Sequence, residues 1–541
     1  MEYGTNIYAE EVKKRLIEVA DEGEIKSGSH VYKDFKNNFI DGVKLENSVI
    51  KGDKSDEKIK YHEYATSLNS SQVMCINFFK KFFGDKAYEG ILIEILKNSG
   101  LNISEAEITK AVFEYRPDEE KKENTNLDFF IEMKDGQRIS FEVKFTEPGF
   151  GGISKVNKGG NKDRYANSWK ENYSRLIRLC PYYPSDLSCD KNCICTENGV
   201  LNNSCKKSDS CGIYEFFKHY QINRNIVYAR NNNDIVVFLT ARENFFLNSG
   251  RRYIEEFAAQ HNTKNIVNLY WEDVIETAIE LAAEYQELND YMKEFKNKYF
   301  SRPSSLPKDI LTEKGFINYF EKFARDNIST FYKNPVVNFR GKTEDTNRYF
   351  TEVISEWLIA NKDLLENITK IKREKGYKTE SHTGEIKNPD SGRNEEIIAK
   401  EMFNQSKDCE MNVIGKIIDY QTPLKNTLYD EAGKIDLLSY DDKTVKVLEL
   451  KRPDSEETML RCVLEGYTYL QTIEDKEWFI ESMHIDPKGK EMKTCPLVAL
   501  NGAQHKEMQE DRPHIKQLMQ ILDIEPIYYC QDNGRYVFLQ G

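Results

Sequence analysis

The sequence predicts an α/β (α+β) protein with two mixed-sheet cores joined by a mostly helical region. Three observations lead to this fold class. Residues 65–245 follow the order helix, three strands, helix, strand, and residues 386–541 repeat that order. Residues 246–385 are charged and helical in pattern, without a catalytic cluster. We therefore expect a first domain over 1–245, a helical bridge over 246–385 and a second domain over 386–541.

Short apolar runs define the strands of the first core. The helix "YEGILIEILKNSG" precedes three strands, "AVFEYRP", "LDFFIEM" and "RISFEVKF". The last two are joined by "KDGQ", where Asp-Gly favours a tight hairpin turn. The later run "IVVFLTA" predicts one more buried strand. Helices and strands in this order are typical of a mixed sheet.

The second core has the same order of helices and strands as the first. The helix "RNEEIIAKEMFNQ" is followed by "NVIGKIIDYQTPL" and by a hairpin of "KIDLLSYD" and "TVKVLELK". The helix "SEETMLRCVLEGYTYLQTI" and the strands "PLVALN" and "IYYCQ" complete it. The two halves share no extended identity, so the repeat is one of architecture.

Composition and charge exclude some classes of function. No apolar run approaches the roughly 18 residues that a membrane span requires, and the polar start is unlike a secretory signal. We therefore expect a cytoplasmic protein. The net charge of −13 argues against a protein that coats nucleic acid without specificity. Residues 151–230 nevertheless carry 13 Lys and Arg against 7 Asp and Glu, a local balance of +6.

Two predicted strands carry an unusual pair of charges. Glu142 and Lys144 lie two residues apart, and Glu449 and Lys451 repeat this spacing, so each pair shares one face of its strand. Burying such charges is costly unless they pair with each other or hold a metal.

An aspartate lies on the strand before each pair, Asp128 in the first half and Asp436 in the second. Across a hairpin, each aspartate can meet the glutamate of the next strand. Two carboxylates without a histidine suit a hard cation such as Mg²⁺ or Mn²⁺. A lysine beside them can balance the charge and orient a water molecule, which supports hydrolysis of a phosphodiester.

An aspartate followed by Glu-x-Lys resembles the PD-(D/E)XK nuclease superfamily, which has the restriction-endonuclease-like fold. The copies are Asp128 with "EVK" and Asp436 with "ELK"; the first, with "SSQ" upstream and "Q-x-x-R-N" downstream, is closer to bacterial restriction-type nucleases. The family's leading proline is absent from both, where "NLD" and "KID" stand. The resemblance implies that the aspartate and glutamate bind the cation and that the lysine assists the attacking water.

The resemblance also implies supporting residues on neighbouring helices. A carboxylate often comes from the helix before the core, and a Gln, Tyr or Arg near the phosphate from the helix after it. The matching positions are Glu94, Gln221 and Arg224 in the first half, and Glu395 or Glu396, Tyr467 and Gln471 in the second. His219 neighbours Gln221, but a lone histidine is more often a surface residue or a support than a ligand.

Six of the eleven cysteines lie in one 32-residue window: Cys180, Cys189, Cys193, Cys195, Cys205 and Cys211. The residues between them cannot build a core, so a metal is the physical reason for such a cluster. We favour structural Zn²⁺ on four of the six thiolates, with an iron–sulfur cluster as the alternative. Reduced thiols without a ligand are the third possibility, since no Cys-x-x-Cys occurs in the window.

A basic surface is predicted just after the first Glu-x-Lys. Its members are Lys155, Lys158 and Lys162 in a Gly-rich loop, and Arg175 and Arg178 in the following helix. These side chains could contact nucleic-acid phosphates. An ordinary solvated face is an equally good interpretation.

The leading hypothesis is a Mg²⁺-dependent deoxyribonuclease with two centres, acting in restriction or anti-phage defence. One alternative is a ribonuclease or nickase on the same fold, because phosphate contacts do not read the sugar. The other is a catalytically idle scaffold that binds nucleic acid or a partner. The expected partners are nucleic acid, with DNA favoured over RNA, and a second copy of the chain or another defence protein.

Overall fold

The computed structural model describes residues 6–541 except 22, 28, 54–57, 118–125, 152–171, 184–215, 374–375, 377–381, 387–393, 408–410 and 427–431. The chain divides into two compact units, Tyr8–Ser305 and Leu306–Gly541. Each unit contains one six-stranded mixed sheet with helices packed on it. The predicted fold class, with two mixed-sheet cores, is confirmed.

The first unit carries helices α1–α8 and strands β1–β6. The helices are α1 (Ile7–Val19), α2 (Ser71–Lys80), α3 (Lys86–Asn98), α4 (Ser174–Ile177), α5 (Tyr220–Ile226), α6 (Asn248–Gln260), α7 (Trp271–Leu281) and α8 (Gln286–Phe300). The strands are β1 (Val49–Lys51), β2 (Ile108–Tyr115), β3 (Leu127–Met133), β4 (Arg138–Lys144), β5 (Ile235–Thr240) and β6 (Ile266–Tyr270).

The sheet of the first unit follows chain order, from β1 to β6. Strands β1 to β4 are antiparallel neighbours, whereas β5 and β6 join β4 in parallel. Both β4 and β5 are buried along almost their whole length, which explains their nearly continuous apolar sequences. Aromatic residues fill the space under α2, where Phe79 stacks on Phe129 with ring centroids 4.2 Å apart.

The second unit carries helices α9–α15 and strands β7–β12. The helices are α9 (Glu313–Asp326), α10 (Phe350–Ala360), α11 (Asn394–Ser406), α12 (Met459–Thr472), α13 (Lys476–Ser482), α14 (Ala503–Gln509) and α15 (Pro513–Ile521). The strands are β7 (Lys416–Pro423), β8 (Lys434–Tyr440), β9 (Thr444–Lys451), β10 (Glu491–Ala499), β11 (Ile527–Asp532) and β12 (Arg535–Gln540).

Five strands of the second sheet, β7 to β11, repeat the pairing of β2 to β6 in the first. Strands β7, β8 and β9 are antiparallel neighbours, and β10 and β11 continue from β9 in parallel. Strand β12 then closes the edge as an antiparallel neighbour of β11. The hairpins β3–β4 and β8–β9 therefore hold the same place in the two sheets, next to the first parallel strand.

The structure divides the segment 246–385, for which the sequence predicts a separate helical bridge. Its residues up to Ser305 belong to the first unit and those after it to the second. The segment also contains β6, which pairs with β5 and extends the first sheet. The helical pattern was correct for most of the segment, but its apolar faces are buried within the two units. Across the described ranges, no helix is long and apolar enough to cross a membrane.

Helix α12 lies close to its sheet because Gly466 has no side chain. A Cβ at this position would collide with the hydroxyl of Thr494 on β10, and it would come within 3.6 Å of the Glu449 Cβ. We expect Gly466→Ala to lower the free energy of unfolding by about 1–3 kcal/mol, since overpacking a core strains it.

Gly90 is the matched control for this substitution, because it lies inside helix α3 and a Cβ there would meet nothing within 4 Å. Gly90→Ala should therefore stabilise the protein by about 0.5–1 kcal/mol through helix propensity alone. Chemical denaturation of both variants measures the difference. Equal effects of the two substitutions would contradict the close approach of α12.

Candidate active site

The first triad lies at the ends of β3 and β4. The backbone N–H of Val143 donates to Asp128 Oδ2 at 2.6 Å, which ties the aspartate to the neighbouring strand. Lys144 Nζ lies 2.9 Å from Glu142 Oε1, and both side chains are more than 90 % buried. The structure therefore brings Asp128, Glu142 and Lys144 together, as the sequence predicts.

The surroundings shift the pKa values of the three groups in different directions. Burial raises the pKa of Asp128 well above its usual value, and the nearby Glu142 charge raises it further. Burial also opposes the charge of Glu142, but Lys144 and Arg224 outweigh this effect and lower its pKa. For Lys144, burial would lower the pKa, yet the surrounding carboxylates raise it above its ordinary value. The surrounding carboxylates therefore favour the charged form of Lys144, in which it can donate hydrogen bonds.

The triad opens into a cleft of about 600 Å³. Its wall includes the N-terminal turn of α2, where Ser70 caps the helix by accepting from the Val73 N–H. The other lining residues are mostly polar or charged: Lys13, His30, His62, Tyr64, Ser67, Asn69, Ser71, Gln72, Glu114, Asn126, Thr146, Glu147, Gln221 and Arg224.

Helix α5 supplies the supporting residues on the far side of the cleft. Gln221 and Arg224 both line it, as predicted, and Arg224 lies 3.7 Å from Glu142 Oε2. Asn225, which the sequence analysis did not select, donates its Nδ2 to the same oxygen at 2.8 Å. Its signal was present in "QINRN", because residues four apart on a helix share a face and Asn225 follows Gln221 at that spacing.

Glu94 does not take part in this site. It lies on the exposed face of α3 and pairs with Lys97 at 3.2 Å, while Leu92 and Ile95 of the same helix are buried. Of the neighbouring helices α2 and α3, α2 is the one that lines the cleft. Two other carboxylates approach the triad instead: Glu114 from β2 and Glu147, which accepts from Ser71 Oγ at 2.6 Å.

The second triad repeats the geometry of the first. The N–H of Leu450 donates to Asp436 Oδ2 at 3.0 Å, and Lys451 Nζ lies 2.7 Å from Glu449 Oε1. Glu449 and Lys451 are both buried. Asp436, Glu449 and Lys451 are therefore adjacent, as predicted, on the hairpin β8–β9.

More acidic side chains surround the second lysine than the first. Lys451 Nζ is 2.8 Å from Glu457 Oε2 and 3.5 Å from Glu465 Oε2. Burial and the charge of Glu465 raise the pKa of Glu449 well above its usual value, while burial raises that of Asp436 to about 7. Lys451 remains charged, because these carboxylates outweigh its burial and raise its pKa.

The residues of α12 that contact the second triad differ from the predicted ones. Arg461, Glu465 and Tyr469, spaced four apart on α12, form the face that meets it. Tyr467 and Gln471 are each two residues from Tyr469, so they lie off this face. Helix α12 is therefore the predicted helix, but it meets the triad with a different face from the one that carries Tyr467 and Gln471.

Helix α11 carries the two acidic candidates that precede the second core. The charge of Glu395 contributes to the raised pKa of Asp436, which places it near the triad. Glu396 pairs with Lys400 on its own helix at 2.7 Å. Of the two predicted alternatives, Glu395 is the one whose charge reaches Asp436.

A strained residue faces the aspartate in each sheet. Glu114 lies between residues that pair with the two neighbours of Asp128, and it has a φ of 51°. Gln421 stands in the same place relative to Asp436, with a φ of 52°, and donates its Nε2 to Asp436 Oδ1 at 2.9 Å. Positive φ costs a non-glycine residue on the order of 1 kcal/mol. Its recurrence opposite both aspartates shows that the two sites share the same local backbone conformation.

One of the six cysteines of the predicted metal site, Cys180, lies among the described residues. Cys180 is a buried member of an apolar cluster, its thiol donates to the Ile226 carbonyl at 3.3 Å, and burial raises its pKa to about 11. In this arrangement Cys180 packs as a core residue. The other five, Cys189, Cys193, Cys195, Cys205 and Cys211, lie outside the described residues, and metal binding there stays a prediction.

The predicted basic surface is described in part. Arg175 and Arg178 are exposed, and neither lines the cleft. Lys155, Lys158 and Lys162 lie outside the described residues. His219 stacks on Tyr253 with ring centroids 3.8 Å apart, and burial lowers its pKa to about 4, so it packs as a neutral ring.

The donor atoms of the first centre fit a Mg²⁺ ion held mainly by water and substrate. In the described parts of the chain, no three His, Cys, Asp or Glu side chains form a metal cluster. Mg²⁺ commonly binds through one or two carboxylates, with waters and substrate phosphates as its other ligands. Asp128 and Glu142, both on the cleft wall, meet this lower requirement.

A mixed sheet with an aspartate and Glu-x-Lys on its central hairpin is the arrangement that the resemblance to restriction-endonuclease-like nucleases predicts. The chain belongs to the REase-ARP family, described as restriction endonuclease associating with ARP, whose model matches residues 9–300. This match coincides closely with the first unit, Tyr8–Ser305. No curated protein and no solved structure matches the chain. The predicted resemblance is thus confirmed for the first copy, while the second copy lies beyond the matched residues and stays a prediction.

Proposed function

We propose that the protein is a Mg²⁺- or Mn²⁺-dependent endonuclease that hydrolyses phosphodiester bonds in DNA. The observation that carries the proposal is the buried Glu142–Lys144 pair beside Asp128, on the wall of an open cleft. A cation bound by the two carboxylates would polarise the phosphate and activate water. Membership of a restriction endonuclease family supports nuclease activity in general.

Three other side chains of the first centre would each have a separate role beside the bound cation. Lys144, held as a cation by Glu142, donates hydrogen bonds to the attacking water or to a phosphate oxygen. Arg224, which lies on the cleft wall near Glu142, stabilises the negative charge that develops on the phosphate. Asn225 fixes the orientation of Glu142 by donating to its second oxygen.

We propose the second triad as another cation-dependent centre, because it repeats the contacts of the first. Its raised carboxylate pKa values mean that cation binding there releases protons, so it should work better as pH rises. The family description names an association with ARP, and we propose a partner of this kind in bacterial defence against foreign DNA, in the cytoplasm.

Plasmid cleavage with Mg²⁺ or Mn²⁺ tests the proposal on the wild type, Lys144→Ala, Lys451→Ala and the double variant. We expect each single substitution to reduce cleavage by its own centre about 10²–10³-fold, as the loss of one charge stabiliser does in other enzymes. If the centres divide the strands of the duplex, the wild type linearises the plasmid and each single variant only nicks it.

Glu94→Gln is the matched control, since the exposed face of α3 lies outside the cleft and this variant should cut like the wild type. EDTA should abolish cleavage by every variant. Full activity of Lys144→Ala would contradict the role of the first centre. Failure of the wild type to cut DNA or RNA with either metal would leave the scaffold alternative in place of the nuclease.

A further inference from the structure

The charged cleft of the first unit contains a solvent-exposed tyrosine ring. Tyr64 lines the cleft together with Asp128 and Glu142. It is 70 % exposed, which is more than any other large apolar side chain among the described residues. Isolated exposed rings are common on protein surfaces, so exposure alone does not indicate a function. What distinguishes Tyr64 is that it lines the same cleft as the proposed catalytic groups and that buried hydrogen bonds hold the backbone of its segment.

The backbone that carries Tyr64 is fixed from behind. Tyr64 belongs to the short 3-10 helix Glu63–Thr66, in which Ala65 is buried. The fully buried Asn38 donates its Nδ2 to the carbonyls of Ala65 and Ser67, at 2.7 and 2.8 Å. These bonds define the position of the backbone from which the Tyr64 side chain projects.

A chain of hydrogen bonds also sets this segment relative to the triad. The N–H of His62 donates to Gln72 Oε1 at 3.0 Å, and Gln72 Nε2 donates to Glu114 Oε1 at 2.8 Å. Glu114 is the strained residue that faces Asp128 across the sheet. These bonds tie the backbone next to Tyr64 to the strand that faces Asp128.

The remaining walls of the cleft suit the other parts of a nucleotide. Lys144 and Arg224 are the cations nearest to the proposed phosphate site, and Lys13 lines the same cleft. A base has a flat face that stacks on an aromatic ring, whatever its sequence. In an intact duplex that face is covered by neighbouring bases, so a base can reach such a ring only when it is unpaired or extruded.

We propose that the first cleft binds a nucleotide of single-stranded or locally unpaired DNA, with its base stacked on Tyr64. The inference rests on the proposed nuclease function and adds the structural class of its substrate. It predicts that the first centre prefers strands with an unpaired base next to the scissile phosphate over uniform duplex DNA.

The test uses three oligonucleotides of one sequence with 2-aminopurine at one position: single-stranded, fully paired, and paired except at that base. Binding is measured with Mg²⁺ in an Asp128→Asn/Asp436→Asn background, so that neither centre consumes the probe. We expect the two unpaired probes to bind more tightly than the paired one and to change their fluorescence on stacking. Tyr64→Ala should weaken their binding about 5- to 150-fold, the usual value of one base–aromatic stack.

Tyr64→Trp should retain the binding, because it keeps the stacking surface. Tyr285→Ala is the matched control, since Tyr285 is 38 % exposed in the same unit but does not line this cleft. Unchanged binding by Tyr64→Ala, or equal binding of paired and unpaired probes, would overturn the inference while plasmid cleavage by the wild type still supports the nuclease. Tyr64-dependent binding without any cleavage would instead retain this site and refute the proposed function.

Discussion

Asp128→Asn is expected to abolish cleavage by the first centre and, at the same time, to stabilise the metal-free protein. Folding disfavours the ionised carboxylate of Asp128, because burial and the Glu142 charge both raise its pKa. Asparagine has nearly the same shape, and its oxygen can still accept the Val143 N–H. The gain at neutral pH should be on the order of 1 kcal/mol, the penalty of a buried polar group that is poorly compensated.

Glu142→Gln should abolish cleavage as well but destabilise the fold. Here the net effect of Lys144, Arg224 and Asn225 is to lower the carboxylate pKa in spite of burial. Removing this charge leaves Lys144 buried beside a neutral amide, and breaking a buried pair in this way typically costs about 3–5 kcal/mol. Opposite signs of stability with the same loss of activity would separate catalysis from structural support.

The pH dependence of stability follows from the direction of each shift. Asp128 has a raised folded pKa, so above its unfolded value the folded chain binds more protons than the unfolded chain, and stability falls as pH rises through that interval. Asp128→Asn should remove this fall. Glu142 has a lowered folded pKa, so its contribution is present above the unfolded value and is lost as pH falls through the folded one.

Urea unfolding in EDTA, at several pH values between 4 and 8, measures both effects. Glu94→Gln serves as the control, because its exposed pair with Lys97 contributes at most about 1 kcal/mol. If Asp128→Asn destabilised the metal-free protein as much as Glu142→Gln, the described charge states of the first centre would be wrong.

Both triads were predictable because their signal is local. Glu-x-Lys places two charges on one face of an otherwise apolar strand, and a hairpin partner supplies the aspartate without any knowledge of the rest of the fold. The order of strands followed from short apolar runs and turn residues. Gln221 and Arg224 were found because the helix after the core is short and these are its two residues that line the cleft.

The errors arose where rotation or packing decides the outcome. On α12, residues two apart point in nearly opposite directions, so Gln471 and Tyr469 cannot both face the triad, and amphipathic patterns do not show which side meets the sheet edge. Two apolar helices, α2 and α3, precede the first core, and their sequences do not show which of them reaches the cleft. In the structure α2 lines the cleft and α3 does not. The positive φ of Glu114 and Gln421 has no signal in residue type, since neither is glycine or asparagine.

Lys451→Met is expected to cause a large loss of stability in the second unit. The lysine is buried, with Glu449 and Glu457 within 3 Å of its Nζ and Glu465 at 3.5 Å. Without it, these carboxylates repel one another in a poorly hydrated space, where Arg461 is the nearby cation that remains. We expect a loss on the order of 3–5 kcal/mol, as for other buried pairs that lose one partner.

Hydrogen exchange read by mass spectrometry over β9 and α12 can assign this loss to the second unit. Lys446→Met is the control on the same strand, because its pair with Asp441 is partly exposed and contributes about 1 kcal/mol or less. Adding Glu465→Gln to Lys451→Met should recover part of the protection by removing one negative charge, while Tyr469 can still donate to the new amide oxygen.

The same variant tests whether the second triad is a cation centre. If Asp436 and Glu449 can bind Mg²⁺, millimolar Mg²⁺ should restore protection to Lys451→Met more than to the wild type, because the cation replaces the missing positive charge and stabilises the folded state by mass action. Asp436→Asn in the same background should weaken that rescue. If Mg²⁺ leaves exchange in β9 unchanged, the second triad is a structural ion cluster, and hydrolysis by this chain is confined to the first unit.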